Sequence, residues 1–187
     1  MSKFFNNYRT TEYKLFGKTF NLTNITLRYK FKQNLTKNIY NFYDYTLKDG
    51  ERLDHLSDMY YGNSDYVWVI VLANDMIDPQ FDIPRPYDEF RKYVINKYGS
   101  WDNVVNGIHH YERIAIYKDN NTKITDLNPP LIISKEFHDS QELIDLEKKE
   151  VTNLDYETEL NEKKRSIKLL DASQLNMIID LVESVFE

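Results

Sequence analysis

The sequence contains no cysteine. That absence removes disulfide bridges, thiolate-ligated zinc and thiol nucleophiles together, and it fits a reducing compartment. Glycine is scarce, at five copies in 187 residues. Little room is left for a phosphate-cradling loop, and no Gly-x-Gly-x-x-Gly, Walker or Gly-x-Ser-x-Gly pattern occurs. Long apolar runs are missing too. The longest strictly apolar stretch is Val67 to Ala73, far short of the ~20 residues a membrane-spanning helix needs. The opening residues Met1 to Asn7 have no apolar signal core. The expectation is therefore a soluble chain made in a cytoplasm.

What is present points to contact surface. Tyrosine and phenylalanine reach 15 and 10 copies, and aromatic side chains carry much of the energy of cores and interfaces. The chain is 41% hydrophobic and 29% charged, a balance that can bury a core and is not that of a disordered segment. Net charge is −6, which argues against a duplex-DNA binder. The charge is unevenly spread. Residues 1–43 hold eight Lys/Arg against Glu12 alone, and residues 134–187 hold seven against fourteen Asp/Glu. Two readings stand: solvated faces, or ends that dock on different partners through complementary fields.

Periodicity orders the rest. Leu27 to Lys32 alternates apolar and basic, as a half-buried strand does, within an arm that otherwise lacks a helical period. Tyr43 to Leu47 reads as a strand and Lys48 to Glu51 as a turn. Leu53, Leu56 and Tyr60 mark one helical face, Gly62 to Ser64 stops that helix, and Ser64 is placed to cap the next. Tyr66 to Ala73 is rich in β-formers and fits either a buried strand or a helix of about ten residues. As a helix it would be apolar nearly all round and buried on more than one side. Tyr87 to Val94 reads as a helix ending by Gly99. Tyr111 to Tyr117 alternates before an Asp119-Asn120-Asn121 turn, and Leu131 to Ile133 is placed to pair with it across Asn128-Pro129-Pro130. Asp139 with Glu142 resembles a capping box. Ser166 to Leu170 is ambiguous between strand and helix. The last helix is the clearest, with Asp171 as cap and Leu175, Ile178, Ile179, Val182, Val185 and Phe186 on one face.

No motif nominates a catalytic or metal-binding group. His109 and His110 are adjacent, so on a strand they would point to opposite faces and could not jointly chelate an ion. His109 to Glu112 lacks the zincin order. Asp75, Asp78 and the Asp119 turn lack the spacing of a calcium loop and are explained by turn chemistry. Carboxylates are too many, at 30, for a glycosidase pair to be singled out. Six Lys/Arg interleaved with aromatics lie between Glu12 and Asp44, the footprint of single-strand nucleic-acid binding. No module signature accompanies them, and an acidic protein partner fits them equally well.

The residues Tyr45-Thr46-Leu47-Lys48-Asp49-Gly50, Leu53, Leu56, Tyr61-Gly62-Asn63-Ser64, Trp68, Ala73-Asn74 and Asp78-Pro79 resemble a LysM domain. This variant, with Lys97 to Ser100, His109 to Glu112, Tyr156-Glu157 and Leu160 to Leu170, is similar to the LysM-like baseplate wedge proteins of T-even-type contractile-tail bacteriophages. The likeness runs from about Tyr43 to the end and is densest over Tyr45 to Pro79. It implies a structural virion protein that clamps neighbouring wedges around the hub in six-fold arrangement. An ordinary LysM closes with a second strand soon after its second helix, whereas Ile83 to Pro86 leads here into a helix-like segment. The alternative is a LysM-type module binding peptidoglycan or chitin between Lys48–Glu51 and Asn74–Pro79.

The expectation is an α+β chain. A basic arm (1–42) precedes a LysM-like strand–helix–helix core (43–98), a β-hairpin region (99–133) and an acidic, largely helical tail (134–187). The residues nominate no catalytic group, cofactor or metal. Partners would be other wedge and hub-proximal proteins, with six copies per baseplate, no membrane, and protein preferred to nucleic acid or glycan. Arg28, Lys30 and Lys32 are the expected contacts to an acidic neighbour. Trp68 and Leu72 share a helix face, expected in the core first and at an interface second.

Overall fold

The computed structural model describes residues 9–24, 42–119, 122–140 and 142–186, and the architecture is α+β. In chain order the elements are β1 (Thr10–Leu15), β2 (Lys18–Thr23), β3 (Phe42–Thr46), α1 (Leu53–Tyr61), α2 (Val67–Ala73), α3 (Tyr87–Tyr98), α4 (Trp101–Asn106), β4 (Ile108–Asp119), β5 (Thr122–Ile133), α5 (Lys135–His138), β6 (Lys148–Thr152), α6 (Asn153–Lys163), β7 (Ser166–Leu170) and α7 (Leu175–Phe186). They fall into two compact units. One takes Met1–Pro84 with Lys164–Glu187, and the other is the intervening Arg85–Lys163.

The first unit is built around a β–α–α–β arrangement. β3 pairs antiparallel with β7, with Tyr43 opposite Leu169 and Tyr45 opposite Ile167. The alternation of Ile167 and Leu169 turns both into the core beside Leu47, Leu53, Leu56, Ile70 and Met76. The face predicted for α1 is the face that is buried. Gly62 ends the helix at φ 74°, a left-handed position that glycine takes without the penalty a Cβ would bring. Its N–H donates to the Asp58 carbonyl at 2.9 Å.

The run after Gly62 is helical, and its cap differs from the expected one. Asn63, not Ser64, accepts from the Asp65 amide at 2.8 Å. A single 3-10 turn, Ser64–Tyr66, starts one residue earlier than a Ser64 cap allows and leads into α2. The apolar ring of α2 is divided between two clusters. Ile70 enters the cluster with Leu53 and Leu56. Val69 enters another with Leu170, Leu175 and Ile178. A β-rich heptad is therefore held helical by burial on two sides, which strand pairing on either edge would not provide.

Asn74 links α2 to β7. Its side-chain N–H group donates to the Ile70 and Lys168 carbonyls, both at 2.8 Å. Its Oδ1 accepts from the Lys168 amide at 2.7 Å. One side chain thus caps the helix and acts as a short strand against the closing strand. Asp171 caps the turn before α7 as expected, accepting from Ser173 at 2.8 Å, and the Tyr43 hydroxyl donates to it at 2.9 Å. Within the expected arm, β1 and β2 fold back as an antiparallel hairpin. The strand expected over Leu27 to Lys32 lies outside the described residues.

In the second unit, β4 is the centre of a three-stranded antiparallel sheet ordered β5-β4-β6. The ladder with β5 breaks between the Arg113–Leu131 and Ala115–Asp126 pairs, where Asn128-Pro129-Pro130 sits and proline withholds its amide. α3 runs to Tyr98, and Gly99 stops it at φ 85°. Asp139 and Glu142 do not open a helix. Ser134 caps the short α5 by accepting from Phe137 at 3.2 Å, which leaves Asp139 at the far end of α5. The unit's two ends are tied together. The Arg85 amide donates to Asn161 Oδ1 at 2.8 Å, and Asn161 Nδ2 donates to the Arg85 carbonyl at 3.3 Å.

Asn74→Ala removes three hydrogen bonds at the seam between α2 and β7. The expected loss is about 1 kcal/mol of unfolding free energy, since the bond to Ile70 is part-buried while the freed Lys168 backbone groups can turn to water. Urea denaturation monitored by Trp68 fluorescence in a Trp101→Phe background measures it, and a change under about 0.5 kcal/mol would refute this role for Asn74.

Candidate assembly interface

Trp68 and Leu72 stand one turn apart on α2, and both are half-buried. Trp68 packs against the cluster of Leu170, Leu175 and Ile178, so within the first unit it joins α2 to the C-terminal helix. Leu72 lies on the same flank of the helix, half open to solvent. Arg28, Lys30 and Lys32 lie outside the described residues. Exposed large apolar side chains are scattered, with Ile77 at 78% and Met59 and Tyr87 at 64%, but they gather on neighbouring strands in two places. One group is on β1, β2 and their turn, where Phe16 is 95% exposed; the other is on the β5 edge, at Ile124, Leu131 and Ile132.

The segments proposed as a sugar groove satisfy much of their polarity internally. Glu51 accepts from the Tyr45 hydroxyl at 2.9 Å and from the Lys48 amide at 2.9 Å. Asp82 accepts from the amides of Ile77 and Asp78, and Asp78 from that of Gln80. These carboxylates close turns.

Three of the flanking fragments that carried the family likeness, Lys97 to Ser100, His109 to Glu112 and Tyr156-Glu157, lie in the second unit, while Leu160 to Leu170 runs on into the first. Glu157 on α6 is almost fully buried, yet it accepts from Lys97 Nζ at 2.5 Å and from the Tyr98 hydroxyl at 2.9 Å. Burial pushes its pKa up, but the hydrogen bonds from Lys97 and Tyr98 outweigh that and hold the carboxyl below its ordinary range. Lys97 is shifted upward, first by its hydrogen bond to Glu157. Each group locks the other in its charged form, so neither is poised to exchange a proton near neutrality. Beside them the His109 ring stacks on Tyr156, with centroids 3.8 Å apart.

His109 and His110 do not point apart as a regular strand requires. Their Nδ1 atoms are 2.8 Å from each other, because the register of β4 against β6 slips between Ile108 and His110. His110 Nε2 also lies 3.2 Å from Glu112. His109 sits below its ordinary pKa, through burial first and neighbouring His110 second. A second buried carboxylate, Glu147, accepts from Arg113 at 2.9 Å and from the Tyr117 amide at 2.7 Å. Among the described residues, no group of three or more His, Cys, Asp or Glu is placed to hold a metal ion. No helix among them is long and apolar enough to cross a membrane. Sequence reasoning gave Glu147 no role, and Glu157 only a place in the family likeness, because nothing in one dimension separates them from the other carboxylates. Their neighbours in the fold do.

The shift of Glu157 sets a pH dependence. Its folded pKa lies below the ordinary 4.5. Its stabilising contribution is complete above that value and is lost as pH falls through the lower folded value. Glu157→Gln is expected to destabilise the second unit by about 2 kcal/mol at neutral pH, a figure discounted because Lys97 is partly exposed. The variant should also flatten the acid limb of the stability curve. Equal acid sensitivity in both proteins, followed by thermal unfolding from pH 7 downward, would contradict the assignment.

No curated protein matches the chain. A family model described as base plate wedge protein 53 matches residues 3–183.

Proposed function

The chain belongs to the base plate wedge protein 53 family, and from that premise we propose that it clamps neighbouring wedges together as a contractile phage tail baseplate assembles. The family gives a structural baseplate role, with other baseplate proteins as partners and the virion tail as location. The match over nearly the whole sequence carries the reading, because both units and the arm fall inside it.

The clamp adds a physical argument. A clamp needs a rigid centre and two dissimilar contact surfaces. The β3-α1-α2-β7 unit supplies the centre, and it has the strand–helix–helix–strand order of a LysM-like fold. In this reading its closing strand is β7, displaced along the sequence by the 79 residues of the second unit. The dissimilar surfaces are the basic residues 1–43 and the acidic residues 134–187. Arg28, Lys30 and Lys32 contact an acidic neighbour, and the exposed part of Trp68 and Leu72 forms a second contact. Complementary fields of this kind set partner choice and encounter rate more than affinity. Six copies per baseplate follow from a six-fold arrangement of wedges.

Co-expression with the other wedge proteins of the same phage should give a complex that survives gel filtration. Mass spectrometry of purified particles should find the chain, and its absence would end this reading. Reversing Arg28, Lys30 and Lys32 to Glu together should weaken complex formation about tenfold or more, more so at low salt, with the unfolding transition unchanged. Unaltered assembly of the triple variant would remove those three residues from the interface.

A further inference from the structure

β1 and β2 are opposed residue for residue, with Tyr13 facing Phe20, Thr11 facing Leu22 and Leu15 facing Lys18. Opposed residues share a side, and so do alternate residues along a strand. One face of the hairpin therefore carries Tyr13, Leu15, Phe20 and Leu22. The other carries only polar residues, such as Glu12, Lys14 and Asn21. Every residue of both strands is exposed, and the four apolar side chains are 43–53% open to solvent. A lone two-stranded hairpin is marginal in water, so this amphipathic pattern calls for something to cover it.

Phe16 and Gly17 both have positive φ, at 51° and 76°, as a two-residue type I′ turn requires. Asn-Gly is the favoured pair there. A phenylalanine in this left-handed position is disfavoured, and at 95% exposure it contributes nothing to the chain's own core. An exposed aromatic held out on a tight turn has the form of an interface anchor.

We propose that this apolar face and Phe16 dock into an apolar groove with an acidic rim on another baseplate protein. The inference rests on the structural baseplate role. Charge argues for the acidic rim, since residues 9–24 carry Arg9, Lys14 and Lys18 against Glu12 alone. Area argues against a second copy docked face to face. The four side chains still expose on the order of 400 Å², about half of what each partner of a stable pair buries. A concave partner that also takes in Phe16 makes up the difference.

The test places photoreactive benzoylphenylalanine at position 16 of the full chain, irradiates assembled baseplates and maps the adducts by mass spectrometry. The expected adduct joins another wedge protein, in an apolar segment flanked by Asp or Glu. Adducts only with a second copy, only with residues 25–41 of the same chain, or none at all in baseplates that contain the chain, overturn the proposal. A chain missing from the particles altogether defeats the baseplate role, and this docking with it. Phe16→Asn gives an independent reading, because it installs the favoured Asn-Gly turn and keeps the hairpin. In competition with the unaltered chain it should enter baseplates about tenfold less well; equal entry overturns the proposal.

Discussion

The first unit depends on one pairing: β3 against β7, two short strands separated by more than a hundred residues of sequence. Neither is stable alone, and a two-stranded sheet needs a covered face. α1 and α2 provide that cover through Leu53, Leu56 and Ile70. Closing so long a loop carries an entropic cost that grows slowly with length. The second unit reduces it by holding its own two ends together. Asn161 does this by exchanging two hydrogen bonds with the Arg85 backbone. On the other side of the junction, Lys164 Nζ donates to the Phe81 carbonyl at 2.6 Å. The intervening residues thus behave as a short connection in terms of closure, though not in terms of sequence.

The two units solve burial differently. The first is held by aliphatic side chains, with Asn74 supplying the polar stitch to β7. The second buries two carboxylates, Glu147 and Glu157, each with a cation and a neutral donor. Such groups add little net stability over an apolar core, but they penalise any arrangement that leaves a charge unpaired. A subunit of an assembly gains from that, because its contact surfaces must keep one geometry until partners arrive. The arm follows the opposite logic. Its hairpin leaves apolar side chains open, and its tip carries an aromatic where a turn residue would be more stable.

Local features were the legible ones. The α1 face, the Gly62 and Gly99 stops, the Asp171 cap and the hairpin around the Asp119 turn all follow from residues close to one another in sequence. The α2 heptad was not decidable alone, because its helical state comes from two clusters contributed by distant segments. The closing strand was illegible for the same reason. Ser166 to Leu170 looks like any short apolar run until Asn74 and β3 are beside it. The Asp139–Glu142 capping box misled because Ser134 had already started and finished a helix one turn earlier. The adjacent histidines misled because a slip in register, which no alternation rule foresees, brings their rings together. As for the site, aromatic excess and opposed charge were visible in composition, while the apolar side of β1 and β2 required knowing that the chain turns back at Phe16.

Amide hydrogen exchange on the free chain and on assembled baseplates tests, in one experiment, whether a rigid, closed centre carries an arm that only assembly covers. Slow exchange is expected at β3 and β7 in both states, with fast exchange over residues 10–23 in the free chain and strong protection there after assembly. Fast exchange at Ser166 to Leu170 in the free chain, or a hairpin as unprotected in the baseplate as outside it, would contradict it.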